Sequence, residues 1–124
     1  MTIEQRICAA IDDWVDGKDV EKTVFTIIDE IKIKLKEKKT AELYWYWGQS
    51  LEILDEYEQA SLKFEEALKL APNNKDMLWS LISLLLFSLQ TPEPAKNLLK
   101  ERLLPLDPSN EKYLDALATA EKTF

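Results

Sequence analysis

Apolar residues recur every three to four positions along most of the chain, the spacing that places them on one face of an α-helix. Short polar segments separate the stretches that carry this pattern. The stretches predict seven helices, at about residues 3–16, 20–38, 41–54, 57–71, 75–89, 92–104 and 111–122. We therefore predict an all-α fold.

Capping residues stand where the predicted helices begin. Thr2 followed by Gln5 has the spacing of a capping box, and Thr40 precedes the third helix. Thr91 with Pro92 is typical of an N-cap followed by the first helical residue. Gly17 suits a left-handed turn between the first two helices.

The apolar faces predict which side chains are buried at the two ends of the chain. In the first helix the expected face carries Ile3, Ile7, Ala10, Ile11, Trp14 and Val15, and Cys8 is expected beside it as a buried thiol. In the last helix the expected packing face carries Leu114, Leu117 and Ala118, with Tyr113 at its edge.

The central stretch, residues 41–74, predicts two antiparallel helices with a seam of small residues between them. One face of the first helix carries Tyr44, Trp47, Gly48, Leu51 and Asp55, and the facing side of the second carries Ala60, Phe64, Ala67 and Leu68. A glycine inside a helix costs about 0.5–1 kcal/mol relative to alanine. We expect Gly48 to allow close approach of the two backbones at Ala60 and Ala67. The rings of Tyr44, Trp47 and Phe64 are expected at the ends of the seam.

This stretch resembles one tetratricopeptide repeat, a unit of about 34 residues. The resembling positions are Tyr44, Trp47, Gly48 and Leu51, then Ala60, Phe64 and Ala67, then Pro72. Tyr44, Trp47 and Leu51 replace the family's Trp, Leu and Tyr. The resemblance implies an α-α superhelix of about three antiparallel helix pairs plus a C-terminal capping helix. We expect one domain over 1–124, made of a repeat-like pair at 1–40, the repeat at 41–74, a degenerate repeat at 75–108 and the cap at 109–124.

The register of the degenerate repeat shifts along its length. Its first helix places Leu78, Leu81, Ile82 and Leu85 one 34-residue period after their counterparts. Ala95 and Leu99 fit the family pattern only if one extra residue is allowed, and Pro108 needs a further one. Ile82 stands where the first repeat has Gly48, so we expect a different packing angle in this pair.

Composition narrows the classes of function. The 124 residues carry a formal net charge of −7, which argues against binding a nucleic-acid backbone. With no histidine and one cysteine, the chain lacks the residues of a Cys/His metal site and of the common nucleophile–base pairs. We expect no enzymatic activity, no catalytic residues, no metal and no cofactor.

The N-terminal sequence does not resemble a secretory signal, because acidic residues occur within its first fourteen positions. No stretch reaches the ~20 apolar residues of a membrane span. The expected location is the cytoplasm.

In the tetratricopeptide family, the face of each repeat's first helix that does not meet the second helix lines a concave groove. This groove holds a peptide or a partner helix. The resemblance implies that Trp45 and Trp79, one repeat apart, anchor a partner there. The candidate contact residues are Glu42, Trp45, Tyr46, Gln49, Glu52, Ile53, Trp79, Ser83, Leu86 and Phe87. A covering of both tryptophans by neighbouring helices is the structural alternative.

These residues indicate a non-enzymatic protein-interaction module, an adaptor or a small chaperone. The acidic chain favours an apolar or aromatic partner segment with basic flanks. The alternative is self-association into a homo-oligomer through the apolar helix at residues 78–89, which has apolar side chains on nearly all sides.

Overall fold

The computed structural model describes residues 1–123, which contain seven α-helices and no β-strand. The helices are α1 (Ile3–Val15), α2 (Glu21–Glu37), α3 (Ala41–Ile53), α4 (Tyr57–Leu70), α5 (Lys75–Ser83), α6 (Pro92–Leu98) and α7 (Glu111–Thr123). Backbone contacts divide the chain into two compact units, Met1–Leu70 and Ala71–Phe124. The predicted all-α class of packed helix pairs is confirmed.

Side chains cap most of the predicted helix starts. Thr2 and Gln5 form the reciprocal capping box, and the Thr40 hydroxyl accepts a hydrogen bond from the Leu43 N–H at 3.2 Å. Thr91 occupies the predicted N-cap of α6, but its hydroxyl donates instead to the Leu85 carbonyl, 3.1 Å away. That hydroxyl therefore serves the end of the preceding helix.

In the first unit, α1 and α2 pack on α3 and form two apolar clusters with it. The buried members of the first cluster are Ala10, Val20, Val24, Ile28 and Ile53, and those of the second are Ile3, Ile7, Ile27 and Ile31. Trp47 packs against both clusters. The side of α3 that bears Trp47 is therefore fixed by the N-terminal helix pair.

The sequence mispredicted part of the buried face of α1. The Cys8 side chain is exposed, as are Trp14 (45%) and Val15 (73%). The buried residues Ile3, Ile7 and Ala10 form a narrow stripe, and Cys8 points about 100° away from Ile7 around the helix. The expected buried thiol and the C-terminal continuation of the apolar face were wrong.

The seam between α3 and α4 is closed by an aromatic ring. Ala60, Phe64 and Ala67 of α4 are each 0% exposed, and Gly48 faces them from α3. A methyl group added at Gly48 would lie only 2.6 Å from Cδ1 of Phe64 and would overlap the ring. The predicted close approach is confirmed, but the residue that occupies the space is Phe64, which had been placed at the end of the seam.

In the second unit, α5 packs on α6 and α6 packs on α7. Ile82, Ala95 and Leu99 are each 0% exposed. The buried face of α7 carries Tyr113, Ala116 and Ala120, spaced at three and four residues. The prediction was wrong for Leu114, which is 43% exposed, and for Ala118, which is also exposed, but Tyr113 is buried and Leu117 partly buried as expected.

Two π-helical turns account for the shifted register of residues 75–108. The first covers Leu84–Ser88 and the second Leu99–Leu103, and each contains a backbone hydrogen bond that spans five residues instead of four. Such a turn accommodates one extra residue in a helix. The first turn precedes Ala95, which is one residue late in the repeat pattern, and the second precedes Pro108, which is two residues late.

The Gly48 contact generates a prediction in which two effects oppose each other. Gly48→Ala should raise helix propensity by about 1 kcal/mol, yet the new methyl group has to displace the buried Phe64 ring. We expect the clash to dominate and to lower the free energy of unfolding by about 1–3 kcal/mol. Urea denaturation of both proteins measures this. An unchanged or higher midpoint would show that the helices have room to spare.

Candidate partner-binding surface

The predicted contact face of α3 is partly accessible. Glu42 is exposed, while Trp45, Gln49 and Glu52 are partly exposed. The rings of Trp45 and Tyr46 stack at a centroid distance of 5.9 Å. One face of the Trp45 ring therefore packs against Tyr46. The partly exposed side chains on this side of α3 can contact a partner.

Two predicted contact residues on α3 contribute to its packing against α1 and α2. Ile53 is 6% exposed and belongs to the cluster of Ala10 and Val24. Tyr46 packs against the cluster of Ile3 and Ile7. Burial raises the pKa of Tyr46, and the negative charge of Glu4 raises it further. Since the N-terminal pair covers this flank, we do not carry Ile53 into the proposed binding surface.

Glu52 has an unusual environment for a carboxylate on an interaction surface. Burial raises its pKa from 4.5 to about 7. Glu52 also lies in the last turn of α3, where the helix dipole disfavours negative charge. Near neutral pH this side chain is therefore only partly ionised, and it attracts a basic partner less strongly than the sequence suggested.

In the second unit, the terminal helix α7 supports Trp79. The Trp79 and Tyr113 rings lie 5.4 Å apart at an interplanar angle of 33°, and Lys112 Nζ lies 4.7 Å from the Trp79 ring centroid. Trp79 nevertheless remains partly exposed. Contact with Tyr113 and Lys112 restricts the ring, so Trp79 presents a partly pre-ordered apolar surface.

The other predicted contacts of the second unit differ in accessibility. Leu86 is 3% exposed, whereas Phe87 is 55% exposed. Ser83 is partly exposed, and its hydroxyl donates to the Ser80 carbonyl at 3.2 Å. Leu86 therefore belongs to the interior, and Phe87 is the accessible apolar residue of the first π turn.

Sequence reasoning missed two features that involve aromatic rings. Lys63 Nζ lies 3.9 Å from the centroid of the Trp47 ring, and Lys32 Nζ lies 5.7 Å from it, so α2 and α4 each place a cation on a residue of α3. Phe25 on α2 is 50% exposed. Its signal was present in the sequence, because Phe25 falls outside the apolar stripe formed by Val24 and Ile28.

The described residues do not gather the side chains of a metal site. Within residues 1–123 no group of three or more Cys, Asp or Glu side chains is arranged to hold a metal ion. In the same part of the chain, no helix combines the length and apolarity needed to cross a membrane. The arrangement presents aromatic, amide and carboxyl groups suited to contacts with another polypeptide.

Comparison with known proteins agrees with the geometry of α3 and α4. Residues 41–74 match the profile of the tetratricopeptide repeat family. No curated protein shows significant similarity to the chain. Residues 41–74 are therefore a tetratricopeptide repeat, and this repeat indicates a protein–protein interaction module.

The pKa of Glu52 predicts how stability depends on pH. The folded state holds the Glu52 proton up to about pH 7, while the unfolded chain releases it near pH 4.5, so this group's contribution falls as pH rises between these values. Glu52→Gln should remove the loss and stabilise the protein at about pH 8 by roughly 1–3 kcal/mol relative to wild type, with little difference at about pH 4.

Urea midpoints at several pH values test this prediction. Glu42→Gln is the control, because Glu42 is exposed on the same helix. Its urea midpoints at the same pH values give the effect of removing an exposed carboxylate from α3. A Glu52→Gln curve parallel to wild type would contradict the raised pKa.

Proposed function

We propose that this protein is a non-enzymatic interaction module that acts as an adaptor or small chaperone. It binds a peptide or helix of another protein on the face of α3 that does not meet α4 and on the face of α5 that does not meet α6. The proposed contacts are Glu42, Trp45, Gln49 and Glu52 on α3, and Trp79, Ser83 and Phe87 on α5 and the π turn that follows it. A cytoplasmic location is also part of this proposal.

The observation that best supports the proposal is the division of α3 into a packed side and an accessible side. Gly48 packs against α4, and Trp47 packs against the apolar residues of α1 and α2. Trp45 remains partly exposed within the tetratricopeptide repeat. A large amphipathic ring in such a position can bury apolar area against a partner.

The charge of the chain and the chemistry of this face favour a particular kind of partner. The net charge of −7 attracts a segment with basic flanks, and the rings of Trp45 and Trp79 favour apolar or aromatic side chains within that segment. Gln49 offers an amide that can pair with the partner's backbone. Because Glu52 is only partly charged near neutral pH, Glu42 is the main acidic contact that we propose on α3.

Self-association through residues 78–89 remains the second candidate. Its motivation was an apolar surface too large for the chain to cover. Within the described structure, Leu78, Leu81, Ile82, Leu84 and Leu86 are 0–3% exposed, which leaves Phe87 as the large exposed apolar side chain of this helix. One exposed ring offers little area for a stable homo-oligomer, so binding to another protein is the better supported function.

The proposal predicts that binding and stability respond differently to loss of the tryptophans. Trp45→Ala with Trp79→Ala should abolish capture of the partner from an extract of the native cells, because anchors of this type typically contribute 2 kcal/mol or more each. The melting temperature should fall only modestly, since both rings are partly exposed. Quantitative mass spectrometry of the captured proteins and a thermal melt measure the two effects.

Leu62→Ala is the matched control, because Leu62 on α4 is 53% exposed and lies outside the proposed surface. This variant should capture the same protein as wild type. Equal capture by the double tryptophan variant would contradict the proposal. A collapse of its melting temperature would assign both rings to the core.

A further inference from the structure

A cleft of about 570 Å³ lies in the first unit, and none of the proposed contact residues of α3 lines it. It forms where the end of α1 and the start of α2 meet the end of α3 and the turn into α4. The helix ends bring together residues that are distant in sequence. The proposed function does not use this cleft.

Part of the cleft lining is apolar. Trp14 (45% exposed) and Phe25 (50% exposed) both line it, and they are among the most exposed aromatic side chains of the described residues. Leu51 and Leu54, which pack on the cluster below, are partly buried and continue the apolar lining. Exposed aromatic area of this kind is costly in water and is typical of interaction sites.

Acidic side chains also line the cleft. Asp19, Glu21, Asp55 and Glu56 line the cleft, with Lys18 as the single cation among its described lining residues. Lys18 is already paired with Asp13 at 3.4 Å. The ion pairs formed within residues 1–123 include none of the four lining carboxylates, so their charges are not neutralised by the chain itself.

Two of these carboxylates, those of Asp19 and Asp55, accept hydrogen bonds from neighbouring residues. Asp19 Oδ1 accepts a hydrogen bond from the Glu21 N–H at 3.1 Å, and Asp55 Oδ1 accepts one from the Tyr57 hydroxyl at 2.9 Å. Asp55 also adopts a left-handed backbone conformation with φ of 60°, which fixes the turn. The carboxylates of Asp19 and Asp55 are therefore ordered before any partner arrives, which reduces the entropy lost on binding.

We propose that this cleft is a second binding site, which accepts an aromatic or branched apolar side chain from a segment of another protein that carries Lys or Arg on both sides of it. The apolar side chain packs between Trp14 and Phe25. The flanking cations pair with Asp19 and Glu21 on one side and with Asp55 and Glu56 on the other. Their attraction accelerates the encounter and fixes the orientation of the segment.

A second copy of this chain is the less suitable occupant. Two copies repel each other through their net charge of −7 each. The chain does contain a basic stretch with an exposed apolar residue, Lys32-Ile33-Lys34, in which Ile33 is 60% exposed. The experiment therefore has to distinguish this occupant from a foreign segment.

The test is an NMR titration of the full chain with two short synthetic peptides that share a central Leu-Phe pair. One peptide has two lysines on each side of the pair and the other has two glutamates on each side. The lysine peptide at millimolar concentration should shift the Trp14 indole N–H and the Leu54 and Glu56 amides saturably, whether or not the Trp45 and Trp79 indoles also shift. The glutamate peptide should cause no shift.

Two variants separate the apolar and electrostatic contributions. Phe25→Ala should weaken binding of the lysine peptide about tenfold. Glu21→Gln with Glu56→Gln should weaken it severalfold and reduce its dependence on salt. Leu62→Ala, the exposed apolar control on α4, should bind like wild type. Trp45→Ala should leave the shift of the Trp14 indole N–H unchanged, so this test can succeed even if the proposed function of the α3 face fails.

Several outcomes would overturn the proposal. No Trp14 shift with the lysine peptide would exclude the site, and equal shifts with both peptides would exclude charge recognition. Shifts confined to Trp45 or Trp79 would place the site elsewhere. Concentration-dependent association in analytical ultracentrifugation that Ile33→Glu abolishes would identify a second copy as the occupant.

Discussion

The contact between Gly48 and the Phe64 ring is the constraint on which the first unit depends. Because Gly48 has no side chain, the buried ring of Phe64 lies directly against the α3 backbone, with Ala60 and Ala67 on either side. This contact sets the rotation of α3. It directs Trp47 towards α2 and α1, where it meets both apolar clusters, and leaves Trp45 partly exposed. The proposed binding face is thus a consequence of the packing on the other sides of α3.

The second unit shows what happens when this contact is absent. Ile82 occupies the position of Gly48 and is completely buried, so a branched side chain stands where the repeat has none. The chain also carries two extra residues, which the π turns at Leu84–Ser88 and Leu99–Leu103 absorb without ending the helices. Phe87, within the first of these turns, is the residue that this irregularity leaves exposed.

Much of the fold could be predicted from the sequence, because helix periodicity, caps and the repeat pattern are local properties. The shifted positions of Ala95 and Pro108 even indicated where the π turns occur, although not their form. Failures arose where tertiary packing decides. The exposure of Cys8 and Trp14 depends on how far α2 and α3 extend beside α1, and the raised pKa of Glu52 depends on burial. The acidic cleft combines residues 14–25 with residues 51–59, so no local pattern could reveal it.

A double-mutant cycle between Gly48→Ala and Phe64→Leu tests the central contact most directly. If the new methyl group is harmful because it meets the ring, then replacing the ring with a smaller side chain should relieve it. The double variant should be more stable than the sum of the single effects by about 1 kcal/mol or more, measured by urea denaturation. Additive effects within about 0.5 kcal/mol would contradict the account, because they would show that Gly48 and Phe64 do not constrain each other.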